Sequence, residues 1–513
     1  MSKSMGGSRE PTPNGERQGG EAPAVGARER TDGGHRSAAS DGRKDVGRAD
    51  VGCVEAALAL ESIIAGVRGL ERTGSLRLPM RLKLLAEFRD EALAVVAAHA
   101  ARGADRSRPA LRRTAPTVPL LRDAFGALLD AYQSCAAALP GQDSADFRPD
   151  EVDFHLIRVA VERIRWERFA LGPAHAQLWQ WANDAVRRSE AVVDRVFQES
   201  TASAAMIPPN SVAREYLRLV AHFSAGYEQL NPELFAIVGA LVDILLADLR
   251  LASSAGGDSV YAVHLDGGMP PVRAQRVPRG SNAVCFLCCE QAEARLKSFE
   301  NELARAVVPT ALQGLGEYDG LVAAGVAHLI RQWRAELPVR QHRRHPIDGD
   351  LTAVRGLDEV RLVLADRGAT GKGFVARFTD VSRGGVGAIA RAESIDEPVV
   401  GELIALRAAP EGVWHLGVVR RLWREKHDIV RLGVQTLSIR PRIGRADDGR
   451  SRADVLVCDE LRSADVVRIV VPAGCLAFGA PLFLSSDGIL HELRPLSAES
   501  LGDVSEVWSY EVL

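Results

Sequence analysis

Residues 373–382, GFVARFTDVS, decide the fold of the second half of the chain. Apolar and polar side chains alternate along this stretch, and Phe374, Ala376 and Phe378 fall on one side of it. A period of two is typical of a β-strand that buries one face. The later runs VWHLGVVRRLWR and HDIVRLGVQTLS alternate in the same way. About 100 residues of short strands with this spacing predict a small antiparallel barrel or sandwich.

The same pattern continues to the C-terminus. Residues 448–513 contain ADVLVCDE, DVVRIVVPAG, APLFLSSDGILHEL and EVWSYEVL, and Asp487 and Gly488 are typical of a two-residue hairpin turn. This block is either a second barrel or an extension of the first.

The first half of the chain has helical spacing instead. In EVDFHLIRVAVERIRWERFA the residues Ile157, Val161 and Ile164 recur at intervals of three and four. Residues 51–337 are therefore predicted to form an all-helical domain of six to nine helices, interrupted near residues 253–282 by a short strand pair. Residues 1–50 hold ten glycines and no aromatic residue, and such a composition predicts a disordered tail.

The composition excludes several functional classes. Lys and Arg number 64 against 67 Asp and Glu, for a net charge of −3, which argues against binding of nucleic acid or another large polyanion. The longest strongly apolar stretch, residues 234–242, is far shorter than the ~20 residues of a membrane span. Seven scattered cysteines without a secretory signal favour the cytoplasm.

Neither a metal site nor a catalytic centre is indicated. Cys285, Cys288 and Cys289 resemble half a zinc site, but no second ligand pair lies nearby, and spacings of three and four favour packing on one face of a helix. No arrangement typical of nucleophilic or acid–base catalysis is present. The sequence thus predicts a protein that is not an enzyme and that uses no metal and no cofactor.

Two motifs of the β region carry chemistry. Arg340, Arg343 and Arg344 lie within five residues at the entrance to the strands, and planar guanidinium groups suit phosphate oxygens. The alternative for this segment is a solvated basic linker. Arginine accounts for 58 of the 64 basic residues of the chain, and most of this excess is assigned to compositional bias on helix surfaces.

The second motif is the glycine-rich turn DVSRGG at the end of the strand 373–382. The Asp380 carboxylate is a natural acceptor for the N–H edge of guanine, the Ser382 hydroxyl donates or accepts, and glycine allows a flat ligand to approach the backbone. The alternative is an ordinary hairpin turn in which Asp and Ser cap the backbone.

Together the two motifs resemble the PilZ domain family, bacterial receptors for cyclic di-GMP with an RxxxR segment followed by [D/N]xSxxG. The resemblance covers about residues 338–440 and implies a six-stranded β-barrel whose arginine segment wraps around the second messenger. A departure from the family is the long stretch between the motifs, where DEVRLVLADRGATGKG predicts an added strand or loop. The ligand-binding residues that the resemblance implies are Arg340, Arg343, Arg344, Asp380, Ser382, Gly384 and Gly385.

The sequence therefore predicts a multidomain α plus β protein. Its parts are a tail over 1–50, a helical domain over 51–337, a PilZ-like antiparallel barrel over 338–442 and a β module over 448–513. The leading hypothesis is a bacterial receptor that couples cyclic di-GMP binding to reorientation of the helical domain, which would contact an unidentified protein partner in the control of motility or biofilm. The alternative is a ligand-independent interaction or scaffold protein with a barrel that binds nothing.

Overall fold

A computed structural model describes most of the chain from Gly42 onward. The described residues are 42–73, 76–103, 116–139, 149–189, 208, 210–230, 232–277, 284–315, 319–336, 342–365, 373–392, 400–408, 412–426, 429–486, 488–501 and 505–513. Of the predicted tail over 1–50, residues 1–41 lie outside this set, and residues 42–50 begin the first helix.

The first half of the described chain is a helical region, residues 51–336, built around one large core. Trp166 and Trp333 are among its most deeply buried side chains, as expected for aromatic residues within helical patterns. Short 3₁₀ turns flank the apolar helix that begins at Phe235. Its helices are α1 Gly42–Thr73, α2 Leu78–Gly103, α3 Thr117–Ala138, α4 Pro149–Phe169, α5 Leu178–Arg188, α6 Val212–Ser224, α7 Phe235–Leu245, α8 Glu290–Ala304 and α9 Asp319–Trp333.

The predicted strand pair inside the helical region belongs to a four-stranded antiparallel sheet: two of its strands lie within residues 253–282, and one further strand lies on either side of that stretch. Cys285 and Cys288 lie on its fourth strand and Cys289 follows as the N-cap of α8, so the predicted helical face of three cysteines does not exist. Both faces of this strand are buried, so its side chains form a continuous apolar run that periodicity cannot distinguish from a helix. The sheet order is β1-β4-β2-β3, with β1 Arg250–Ala252, β2 Ser259–His264, β3 Val272–Arg273 and β4 Val284–Cys288.

Burial explains the chemistry of these cysteines. All three thiols are almost completely inaccessible, and burial raises the pKa of Cys285 to about 12 and those of Cys288 and Cys289 above the ordinary range. Among the described residues no group of His, Cys, Asp or Glu side chains is arranged to hold a metal ion.

The predicted six-stranded barrel is confirmed. Phe374 and Ala376 point into its core while Val375 and Arg377 are exposed, as the alternation predicts. The ring is β7-β6-β9-β10-β11-β8, closed by pairing of β7 with β8, and the two-residue β5 adds to β7. The strands of this first barrel are β5 His345–Pro346, β6 Asp350–Arg355, β7 Gly373–Ser382, β8 Gly385–Arg391, β9 Leu403–Arg407, β10 His415–Lys426 and β11 Ile429–Ser438.

The stretch between the two motifs contains a helix where a strand or loop was predicted. Helix α10, Leu357–Ala365, buries Leu357, Val360 and Val363. Their spacing of three is helical, but the surrounding strands made the stretch look like part of the β region.

The C-terminal block is a second closed barrel rather than an extension of the first. It begins at Arg442, six residues earlier than predicted, and its hairpin turn lies where predicted, with Ser486 pairing with Ile489 across Gly488 at φ +79°. Its strands, in the order β12-β13-β14-β17-β16-β15, are β12 Arg442–Asp447, β13 Arg452–Val457, β14 Val466–Pro472, β15 Leu482–Ser486, β16 Ile489–Leu501 and β17 Ser505–Val512.

A shared core joins the two barrels. Trp414 and Leu416 of the first barrel region pack in one buried cluster with Leu456, Val470 and Val507 of the second. Contacts of this kind fix the orientation of one barrel relative to the other. None of the helices in the described part of the chain combines the length and the apolar character needed to cross a membrane.

Candidate functional site

Two glycines form a flat floor on the outer face of the first barrel. Gly387 of β8 pairs with Asp380 of β7 on one side and with Gly433 of β11 on the other. Gly433 pairs in turn with Arg421 of β10. Three strand spacings of about 4.8 Å separate the backbones of Asp380 and Arg421 by roughly 14 Å. Because neither glycine has a side chain, the side chains of Asp380 and Arg421 lie close against the backbone of this row; a Cβ atom at Gly433 would be 3.1 Å from Arg421 Cβ.

Gly387 is closely surrounded at this floor. A Cβ atom there would lie 2.7 Å from Asp380 Oδ2 and 2.7 Å from Thr379 Oγ1. Any larger residue would therefore displace the carboxylate or cover the floor.

A cleft of about 230 Å³ lies over this row. Among its lining residues are Arg344, Asp380, Arg421, Trp423 and Arg431, which provide three guanidinium groups, one carboxylate and one indole. An excess of cations around a small concave surface favours a compact anion. Pockets that enclose a whole drug-sized ligand measure about 300–1,000 Å³, so a larger ligand would project from this cleft.

One residue of each motif, Arg344 of the first and Asp380 of the second, meets the other across this cleft. Arg344 Nη1 donates a hydrogen bond to Asp380 Oδ2 at 3.1 Å and lies 2.8 Å from Oδ1. Oδ1 is buried and accepts no hydrogen bond from a described residue, while its ion pair with Arg344 compensates the charge. An ionised carboxylate can accept about four hydrogen bonds, and Arg344 donates only one here. The Asp380 carboxylate therefore retains capacity for an N–H group of a ligand.

The other predicted site residues lie in the turn beside the cleft rather than along its walls. Ser382 Oγ donates to Gly385 O at 3.3 Å, and a Cβ at Gly385 would come within 2.4 Å of Val434 O. A Cβ at Gly384 would come within 3.2 Å of His342 Cδ2. Ser382 and the two glycines thus lie in and beside the β7–β8 turn, and their predicted role in ligand binding stays a prediction.

The two remaining arginines of the first motif differ in status. Arg343 is exposed and does not line the cleft. Arg340 lies outside the described residues, so its predicted role stays a prediction.

Sequence reasoning missed Arg421, Trp423 and Arg431. Trp423 of β10 pairs with Arg431 of β11. This pair lies two residues along each strand from the pair Arg421–Gly433, so Arg421, Trp423 and Arg431 belong to the same face of the sheet. The signal was present in VVRRLWR, where Leu422 is buried and its two neighbours face outward. Arg431 is ion-paired with Glu425, whereas Arg421 makes no ion pair with any described residue.

The helical region carries the match to a known family. A protein-family model described as cyclic-di-GMP receptor FimW, N-terminal domain, matches residues 54–254. This match lies outside the stretch that resembles the PilZ family, so the PilZ resemblance stays a prediction. No curated protein matches the chain.

Proposed function

We propose that this protein is a non-enzymatic receptor for cyclic di-GMP that binds its ligand in the cleft of the first barrel. The observation that carries the proposal is the row formed by Asp380, Gly387, Gly433 and Arg421. It offers an acceptor, a flat floor and a cation at the spacing of a nucleotide. The family match of the helical region to a cyclic-di-GMP receptor supports the same ligand from an independent part of the chain.

In this proposal guanine lies on the glycine floor with its N–H edge toward Asp380. The N1–H and N2–H₂ groups of guanine donate, and the Asp380 carboxylate accepts, so its buried Oδ1 gains a partner. Adenine presents an acceptor at the same edge and is disfavoured. Arg344 exchanges its ion pair with Asp380 for a ligand phosphate, and Arg421 supplies a second guanidinium.

The remaining motif residues have supporting roles in this proposal. Arg340 and Arg343 meet the part of the dinucleotide that projects from the cleft, while Ser382, Gly384 and Gly385 hold the β7–β8 turn that positions Asp380. The helical region is the output surface toward a protein partner. All seven cysteines are free, which supports the proposed cytoplasmic location.

Isothermal titration calorimetry of the full chain with cyclic di-GMP tests the proposal. Loss of one charge-assisted hydrogen bond costs about 1.5–3 kcal/mol, so Asp380→Ala and Arg344→Ala are each expected to weaken binding by about 10- to 150-fold at most. Cyclic di-AMP is the matched ligand control and is expected to give no heat above dilution.

Asp348→Ala is the matched protein control. Asp348 also forms an ion pair with an arginine of the first barrel, Arg377, at 2.7 Å, but does not line the cleft. We expect this variant to bind like the wild type. Absence of binding by the wild-type chain would overturn the receptor function and favour the alternative, an interaction protein with a barrel that binds nothing.

A further inference from the structure

One side chain of the helical region lies in the core of the first barrel. Helix α4 ends at Phe169, which packs in the helical core, but Leu171 is only 4% exposed and belongs to the same buried cluster as the core residues of the barrel, among them Leu351 and Phe374. Leu171 has φ +61°, a left-handed conformation that residues other than glycine rarely adopt. Burial of the side chain in the barrel is what offsets this unfavourable backbone conformation.

The backbone beside Leu171 is joined directly to β10. The Arg424 amide donates to Leu171 O at 2.6 Å. Gly172 has φ +94°, and a Cβ there would lie 2.4 Å from Arg424 O and 3.3 Å from two ring atoms of Trp423. The turn formed by residues 170–173, here called the docking turn, is therefore packed against β10 with no spare room.

Two buried arginines hold the docking turn to the helices behind it. Arg122 Nη1 of α3 donates to Gly172 O at 2.8 Å, and Arg163 Nη2 of α4 donates to Pro173 O at 3.3 Å. Arg163 Nη1 also donates to Arg122 O at 3.0 Å. Since the carbonyls of Gly172 and Pro173 accept hydrogen bonds from side chains of α3 and α4, the turn and these helices move together.

Trp423 connects this contact with the cleft. It lines the cleft beside Arg421 and Arg431, and its ring is the group nearest to Gly172 after the Arg424 carbonyl. The second barrel contributes no residue to the cleft and is attached through a broad shared core. A ligand in the cleft therefore reaches the helical region through Trp423, whose ring faces both Gly172 and the Arg168 guanidinium at 6.0 Å, and leaves the two barrels as one body.

We propose that the docking turn is the element through which ligand in the cleft releases the helical region from the first barrel. This inference rests on the proposed receptor function and assigns its regulation to Leu171, Gly172 and Trp423. The direction follows from packing: the turn already contacts β10 at the closest distance that the atoms allow, so any displacement of Trp423 by a ligand separates the two surfaces.

Thermodynamic linkage makes this direction measurable. If ligand binds the separated state more tightly, a substitution that raises the population of that state must raise the apparent affinity for ligand. Gly172→Ala introduces a Cβ where no space exists and where φ is positive, and we expect it to raise the affinity for cyclic di-GMP by about fivefold or more, within the usual coupling range of about 5–150-fold.

Calorimetric titration of full-length variants with cyclic di-GMP is the test. Gly479→Ala is the matched control, because Gly479 has φ +100° but nothing within 4 Å of a new Cβ, and it is expected to bind like the wild type. Leu171→Gly removes the buried side chain and keeps the left-handed backbone accessible, so it decides the question if Gly172→Ala does not fold. Hydrogen exchange at the Arg424 amide, which bonds Leu171 O, is expected to accelerate when ligand binds the wild type.

The outcomes separate the two proposals. Binding by the wild type with unchanged or weaker binding by both turn variants overturns the coupling and leaves the receptor function intact. Slower exchange at Arg424 on ligand binding also overturns it, because the turn would then be tightened. A wild-type chain that does not bind cyclic di-GMP removes the receptor function itself, and the coupling with it.

Discussion

Replacement of Arg421 by alanine separates the geometry of the cleft from the sequence motifs. Arg421 belongs to neither motif, yet it lies in register with Asp380 across two glycines. It is exposed and makes no ion pair with any described residue, so its removal leaves no internal carboxylate without a partner. We therefore expect the variant to fold like the wild type and to lose only ligand contacts.

The magnitude follows from the kind of contact that is lost. A guanidinium on a phosphate contributes about 1.5–3 kcal/mol, which corresponds to a loss of about 10- to 150-fold in affinity for cyclic di-GMP. In Asp380→Ala, by contrast, Arg344 no longer has to leave an exposed ion pair worth about 0–1 kcal/mol before it binds the phosphate. The net loss of affinity in Asp380→Ala is therefore smaller than the loss of the guanine contact alone. Arg421→Ala has no such compensation.

The assay is calorimetric titration at two salt concentrations, with Arg420→Ala as the control. Arg420 is adjacent in sequence but pairs with Glu499 of the second barrel, and its loss is expected to leave affinity unchanged. Because phosphate contacts are screened by salt, the wild type should lose more affinity at high salt than Arg421→Ala does. Arg421→Ala binding within twofold of the wild type would refute the assignment of the cleft as the ligand site.

Two further predictions concern the cleft floor and the helical core. Gly387→Val places a branched side chain against Asp380 Oδ2 and is expected to reduce cyclic di-GMP affinity by at least about tenfold, with an unchanged circular dichroism spectrum; retained affinity would mean that the base does not use this floor. His155 accepts a hydrogen bond from Arg89 at 2.6 Å, and burial together with the charge of Arg89 lowers its pKa to about 4. The folded protein therefore gains stability from neutral His155 above pH 6.5, and this gain in the free energy of unfolding is lost as the pH falls toward 4. Discounted for partial exposure, the free energy of unfolding falls by about 1 kcal/mol between pH 7 and pH 5 because of His155. Denaturant unfolding of His155→Gln should therefore show a smaller decrease over this pH range than the wild type. An equal pH dependence of the two proteins would contradict this.

The sequence predicted the features that depend on local periodicity. Alternation along GFVARFTDVS located β7 and its buried face, and the hairpin at Gly488 followed from turn chemistry. Strand β4 was misread as a helix because both of its faces are buried, which removes the alternation that identifies a strand. Helix α10 was missed for the related reason that only three buried positions mark it.

The candidate site was predictable in part. Arg344 and Asp380 were identified from residue type and order, and the structure joins them in an ion pair. Arg421, Trp423 and Arg431 were missed, although the alternation of β10 places the first two on the outer face, because nothing local indicates which strand lies opposite which.

By itself the sequence determined the order of helical and β regions and the chemistry of the two motifs, since backbone geometry imposes periods of two and 3.6 on any buried face. Only the tertiary structure decided the register that aligns Asp380 with Arg421 and the insertion of Leu171 into a barrel that begins nearly two hundred residues later. Both depend on pairing between distant segments, which is selected by the packing of the whole core and leaves no periodic trace in the chain.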